Sequence, residues 1–312
     1  MPTGNKGSIR LFRFAGINVF LHWSWFLVAV FEIKNRVGYS SIVWNIFEYL
    51  ALFVIVTLHE FGHALACRQV GGSSNQIVLW PLGGVAYVNP PPRPGATLWS
   101  LAAGPLVNVA LIPVLLILFF LSRSLGGAAT IPNFHEFVKT VSVINVVLLI
   151  FNMLPVYPLD GGQILRSLLW FLMGRARSLL AATLVGFVGV AGLILLAVRV
   201  RSFWLGIMCV FILLNCWGGL KQSVMLLRMA KLPRHEGFAC PWCKASPPMG
   251  DLWRCPHCKT MFDTFVTQAV CPHCAAQFPV TQCLECGRTH PISDWNGPAV
   301  VTPHPALAEY RP

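Results

Sequence analysis

Carboxylates are scarce in this chain. Eleven Asp and Glu stand among 312 residues, charged side chains make up only 11%, and 55% of the residues are hydrophobic. A soluble domain typically carries about 25% charged residues, so the composition excludes an ordinary soluble globule. Long runs of like charge are also missing. The net charge of +12 comes from residues 1–230, which hold sixteen Lys and Arg against five acids, while the remainder holds seven against six. Basic residues scattered through apolar sequence orient membrane loops and do not build a phosphate groove. No nucleic-acid partner is expected.

What the sequence has instead is apolar runs of bilayer length, about 20 residues each. They predict six spans at about 17–33, 45–69, 97–121, 136–154, 178–198 and 202–220. The short basic start shows no cleavable signal, and the run after it is long enough to remain as an anchor. Six spans put both termini on one side. Ten Lys and Arg then fall in cytosolic segments against six outside, which favours cytosolic termini in a multi-pass protein of the cell (inner) membrane. The fold class expected is an α-helical polytopic membrane protein with a short membrane-associated β-hairpin, followed by small zinc-ribbon domains. Its parts are a core over 1–230, two tandem ribbon modules over 236–290 and a disordered tail over 291–312.

Between the second and third spans, "QIVLW" and "VAYV" flank Pro81, Leu82, Gly83 and Gly84. They read either as a hairpin dipping into the cytosolic face or as a surface connection. Irregular backbone at membrane depth must line a cavity or be buried in protein.

The stretch "VIVTLHEFGHALA" carries His59, Glu60 and His63 inside a span. An HExxH on a helix sets two imidazoles one turn apart on one face, where both can bind one metal ion. The glutamate can then take a proton from water activated by the metal. Ionisable groups at this depth are costly and mark function; paired interfacial histidines are the bland alternative. Catalytic zinc takes three protein ligands, and the core holds only Glu32, Glu48, Glu60, Glu136 and Asp160 as acids. Glu32, Glu48 and Glu136 lie near the extracytosolic ends of their spans. Asp160 lies where the fourth span exits at the depth of the histidines, after Pro155 and Pro158 and before Gly161 and Gly162. Cys67, one turn beyond His63, is a rival ligand whose bland reading is a small buried hydrophobe.

These residues resemble the site-2 proteases, intramembrane zinc metalloproteases of the M50 type. His59 to His63 match the zinc-and-base motif, Asn152 to Gly162 the NxxPxxPLDGG motif, and "AAGPLVN" at 102–108 the GPxxN motif. "GINVFLHWSWFL" is similar to the first span of the compact subgroup. The resemblance implies Asp160 as third ligand, Glu60 as catalytic base, and Gly104, Pro105 and Asn108 as shaping the site. Asn108 reads equally as a helix-packing contact, and His22 as a packing histidine. Asn108, Asn152, Gly83 and Gly84 are the residues expected to shape the site or meet substrate. The resemblance also implies a membrane-anchored protein substrate cleaved near the cytosolic face, with one catalytic Zn²⁺. Two departures stand out: no PDZ domain interrupts the core, and a cysteine-rich tail stands in place of a CBS pair.

The tail carries four CxxC pairs: Cys240/Cys243, Cys255/Cys258, Cys271/Cys274 and Cys283/Cys286. Each pair is a knuckle offering two thiolates, and two knuckles complete a Cys₄ zinc site. Taken in order, Cys240, Cys243, Cys255 and Cys258 form one ribbon and Cys271, Cys274, Cys283 and Cys286 the other, with a crossed pairing as the alternative. Two structural Zn²⁺ are implied. The tail's near-neutral charge suits a cytosolic adaptor or a substrate-recruiting contact. The competing functional class is a catalytically inactive membrane scaffold, which usually lacks the glutamate or a ligand; both are present here.

Overall fold

The computed structural model describes residues 7–35, 39–80 and 83–295. In chain order the elements are strands β1 (Ser8–Phe14) and β2 (Ile17–His22), helices α1 (Ser24–Asn35) and α2 (Ile42–Gln69), and strands β3 (Ser73–Trp80) and β4 (Gly83–Asn89). Helices α3 (Pro94–Ser124), α4 (Gly127–Thr130), α5 (Pro132–Asn152), α6 (Asp160–Val200) and α7 (Phe203–Ala230) follow. Four two-residue strands close the order: β5 (Trp253–Arg254), β6 (Met261–Phe262), β7 (Thr281–Gln282) and β8 (Thr289–His290). The chain divides into two compact units, Met1–Leu172 with Ala181–Gly219, and Met173–Leu180 with Leu220–Pro312.

Five helices among the described residues are long and apolar enough to cross a membrane: α2, α3, α5, α6 and α7. The span predicted at 17–33 is the exception. Its first residues form β2 and the rest falls in α1, whose 12 residues rise about 18 Å, short of a hydrocarbon core of about 30 Å. In β2 the apolar residues alternate, with Ile17, Val19 and Leu21 buried. A short apolar run cannot reveal its period against the flanking helix.

β2 pairs in parallel with β3, Asn18 opposite Gln76 through Leu21 opposite Leu79. Parallel strands need a crossover, and α1 and α2 supply it. β3 follows the C-terminal end of α2, whereas at the other end the Ser40 N–H donates to Asn133 Oδ1 at 3.0 Å, at the start of α5. β2 and α1 together therefore follow α2 without a full-length span: the Gly16 carbonyl accepts from Arg68 near the end of α2, and the Trp25 carbonyl already accepts from the Tyr49 hydroxyl in its first half. The sheet runs β1-β2-β3-β4, antiparallel at both outer pairs. Ile17, Val19, Leu21, Ile77 and Leu79 pack on Phe61 and Ala64 of α2. The predicted hairpin is thus β3 and β4, with Gly84 opposite Leu79 and Gly83 opposite Trp80; Pro81 and Leu82 lie outside the described residues.

α2 and α3 approach closely at Gly62, where a Cβ would sit 2.7 Å from the Ala103 carbonyl. α6 breaks at Gly174 (φ 75°, ψ 171°), and the predicted fifth span lies in the segment after the break.

In the second unit, β5 pairs with β6 and β7 with β8. Its core gathers Cys240, Trp253, Phe265, Cys283 and Trp295. The sequence predicts a disordered tail from residue 291, yet its first residues are ordered. Ile292–Trp295 form a 3₁₀ turn and the Trp295 ring is fully buried, because this unit needs its indole to fill the space between the knuckles. Residues 296–312 lie outside the described residues.

Candidate metal centre

α2 presents His59 and His63 one turn apart, with ring centroids 4.8 Å from one another. Asp160 arrives from the far side as the first residue of α6. Three donor atoms converge: His59 Nε2 lies 3.0 Å from Asp160 Oδ2, His63 Nε2 lies 3.4 Å from the same oxygen, and the two Nε2 atoms are 3.1 Å apart. Ligands of a tetrahedral zinc about 2.0–2.1 Å from each donor are separated by about 3.3 Å, so the triangle has the right size.

The outer nitrogens explain why these atoms are available. His59 Nδ1 faces Asn108 Oδ1 at 2.6 Å and His63 Nδ1 faces the Ser100 carbonyl at 2.8 Å. Both partners are acceptors, so each ring carries its proton on Nδ1 and turns an Nε2 lone pair inward. The Asn108 amide is itself fixed. Its Nδ2 donates to Asn145 Oδ1 at 2.9 Å, and Asn145 Nδ2 donates back to the Asn108 carbonyl at 3.0 Å. Two lone pairs and a carboxylate facing one point suit a divalent cation. Gly104 belongs to the same construction, since a Cβ there would fall on the His63 imidazole.

The buried Glu60 carboxylate accepts the Ala86 N–H through Oε2 at 2.8 Å. Ala86 lies on β4, an outer strand of the sheet. Asn152 ends α5, half-buried, eight positions before Asp160. Among the described residues, the carboxamide touching a ligand histidine is that of Asn108. His22 stacks on Trp80 with centroids 3.9 Å apart, a packing role. The Cys67 thiol turns to the Ser73 carbonyl at 3.6 Å, outside the donor cluster. Glu48 accepts from the Tyr39 hydroxyl at 2.7 Å and Glu136 pairs with Lys139 at 3.2 Å; neither belongs to the cluster.

Asn145 and Ser100 were not singled out from sequence. Asn145 had a signal, an amide inside a span. Ser100 had none, because it contributes its backbone carbonyl.

The second unit holds two further clusters: Cys240, Cys243, Cys283 and Cys286, and Cys255, Cys258, Cys271 and Cys274. The expected sequential pairing is therefore wrong. The knuckles nest, first with fourth and second with third. The reason is local. The chain after the first knuckle folds back on its own entry, with Arg234 bridged to Pro248 and the Met249 N–H donating to the Pro233 carbonyl at 2.8 Å. Asp263 accepts the Gly250 N–H and His235 Nε2, both at 2.8 Å, and so ties down that return. Burial pushes the Asp263 carboxyl up, but these bonds and the Phe265 N–H together hold it below its ordinary value. The second knuckle is thereby carried past the first to face the third.

Across knuckles the sulfurs stand 3.5–3.7 Å apart, too far for a disulfide of about 2.05 Å and close to the ~3.8 Å edge of a tetrahedral zinc–thiolate site. The Cys283 thiol draws the Cys243 thiol below its ordinary range, and the Thr260 side chain does the same for Cys258.

Residues 47–131 and 124–196 match the model of Peptidase family M50. A zinc metalloprotease of Methanocaldococcus jannaschii is 36% identical over 180 residues, 57% of this chain and 50% of that protein. Rip3 of Mycobacterium tuberculosis is 30% identical over 215 residues, 64% of this chain and 53% of that protein. This chain thus spans about half the length of these relatives. The solved structure of a site-2 protease from Methanocaldococcus jannaschii superposes with a TM-score of 0.51 at 30% identity, covering 68% of this chain and 95% of that one.

Two outcomes are expected from this geometry. Asn108→Ala should weaken zinc retention at the core site by about 10–100-fold, read by chelator competition on the purified full chain; unchanged retention would show that the amide does not set the His59 tautomer. The double variant Cys243→Ser/Cys283→Ser should lose one zinc per chain, whereas sequential pairing would cost two.

Proposed function

This chain belongs to peptidase family M50, and on that footing we propose that it is an intramembrane zinc metalloendopeptidase that cuts a membrane-anchored protein near the cytosolic face. The observation that carries the reading is the convergence of His59, His63 and Asp160 next to Glu60.

His59, His63 and Asp160 would hold the ion, and Asn108 and Ser100 keep both imidazoles in the tautomer that can. When bound, zinc supplies Lewis-acid chemistry, making water nucleophilic near neutral pH and polarising a peptide carbonyl. Glu60 is the proton carrier. Its carboxylate takes the proton of the attacking water and returns it to the leaving amide nitrogen. Ala86 engages one of its oxygens, which fixes the carboxylate and leaves the second oxygen for the reaction.

A helical substrate must unwind before its carbonyl can be reached, and β4 offers a place for the unwound segment. Backbone groups of a strand alternate in direction. Because the Ala86 N–H points to Glu60, Gly84 and Val88 share that outward edge. A substrate strand added there by β-augmentation runs past the base in fixed register. The four-cysteine clusters support a zinc-dependent tail fold that recruits substrate or a cytosolic adaptor. The spread of basic residues supports cytosolic placement of both ends of the described chain, in the cell (inner) membrane.

Glu60→Gln should keep its core zinc and lose cleavage of a captured membrane substrate by about 10²–10⁴-fold; turnover equal to the unaltered protein would sink the mechanism. Gly84→Pro and Val88→Pro each remove an outward donor, or the freedom to present one, without breaking a rung to β3. Both should slow cleavage while the fold persists, and normal cleavage by both would remove β4 from substrate binding.

A further inference from the structure

The loop 153–159 carries Asp160 to the histidines, and its grip on the rest of the fold comes from α6 and α7. Val156 is buried with Val190, Ile212 and Cys216. On α6, a Cβ at Gly189 would collide with the Val156 side chain, and one at Gly186 would lie 2.9 Å from Cys216 Sγ and 3.2 Å from Tyr157 N. On α7, a Cβ at Gly219 would lie 3.0 Å from the Tyr157 ring and 2.9 Å from Thr183 Oγ1. The Cys216 thiol donates to the Tyr157 carbonyl at 2.9 Å. Gly186 and Gly189, and Cys216 and Gly219, each stand three residues apart, one turn along one helix face.

We propose that Gly186, Gly189, Cys216 and Gly219 form a seat for Val156 and Tyr157, and that this seat positions Asp160 as a metal ligand. None of the four touches the donor cluster. The loop's own bonds, Leu159 N–H to Val156 O at 2.8 Å and Gln163 Nε2 to Pro158 O at 2.9 Å, make it a stiff unit that moves as one piece. A shift of Val156 is therefore delivered to Asp160, and the missing side chains at the three glycines set how deep the loop sits. Cys216 fixes the loop along the helix axis through a single carbonyl.

The inference rests on His59, His63 and Asp160 being the ligands, so zinc retention is the readout and proteolysis is not. In the full chain, Gly189→Ala should weaken retention of the core zinc by about 10–100-fold, with the two tail zincs as internal reference. Adding Val156→Ala to Gly189→Ala should restore it, because the colliding methyl is gone. Gly192→Ala and Gly218→Ala are the controls, since a Cβ at either meets nothing within 4 Å; both should bind as the unaltered protein does. Cys216→Val, which removes the donor at similar volume, should weaken retention, and Cys216→Ser should keep it. Unaltered core zinc in both Gly189→Ala and Cys216→Val overturns the seat, as does equal loss in Gly192→Ala. Should Gly189→Ala fail to accumulate, the contrast between Cys216→Val and Cys216→Ser decides alone. Asp160→Asn separates the two levels: if it keeps all core zinc, the ligand assignment has failed before the seat is tested.

Discussion

Two imidazole lone pairs and a carboxylate aimed at one point, inside apolar sequence, form the constraint on which the first unit is organised. Without a cation the arrangement is electrostatically unfavourable. Like groups repel, and low polarity magnifies the cost. The chain meets that cost with rigidity. Asn108 and Asn145 lock one ring, a backbone carbonyl locks the other, and Gly62 and Gly104 let α3 come close enough to supply both contacts. Each of these is a statement about backbone proximity more than about side-chain chemistry. That is why glycine and small residues recur where the helices meet.

The donor cluster was legible in sequence because holding a metal needs particular side chains at particular spacings. HExxH and a later carboxylate can be read from letters alone. The supporting shell was half legible. Asn108 and Gly104 fall in a recognisable motif, while Asn145 sits outside any motif and Ser100 acts through an atom every residue has. The sheet was also half legible: β3 and β4 showed as short β-prone pieces, readable as a hairpin or a surface connection, but β2 merged into an apolar run. Its partner lies 58 residues on, Asn18 opposite Gln76, and no local signal reports a long-range parallel pairing.

The tail shows a different limit. Four equal CxxC pairs point to four-cysteine clusters, yet equal pairs carry no information about which meets which. The decision rests with the connecting segments. The fold-back of residues 246–250 on 233–235, held by the carboxylate of Asp263, sends the second knuckle onward. Non-cysteine residues thus choose the metal topology, much as helix packing chooses the depth of Asp160.

Nesting also settles how force runs through the tail. Cys240 and Cys286 stand 3.7 Å apart, and the Ala239 N–H donates to the Trp295 carbonyl at 2.9 Å, so the chain enters and leaves the module at one neck. Tension applied beyond Trp295 passes through the outer cluster straight back toward α7. The inner cluster, with Cys255, Cys258, Cys271 and Cys274, hangs from a closed loop and lies off the line of pull. With a metal held by the outer four cysteines, such a module would keep its far end out of the load.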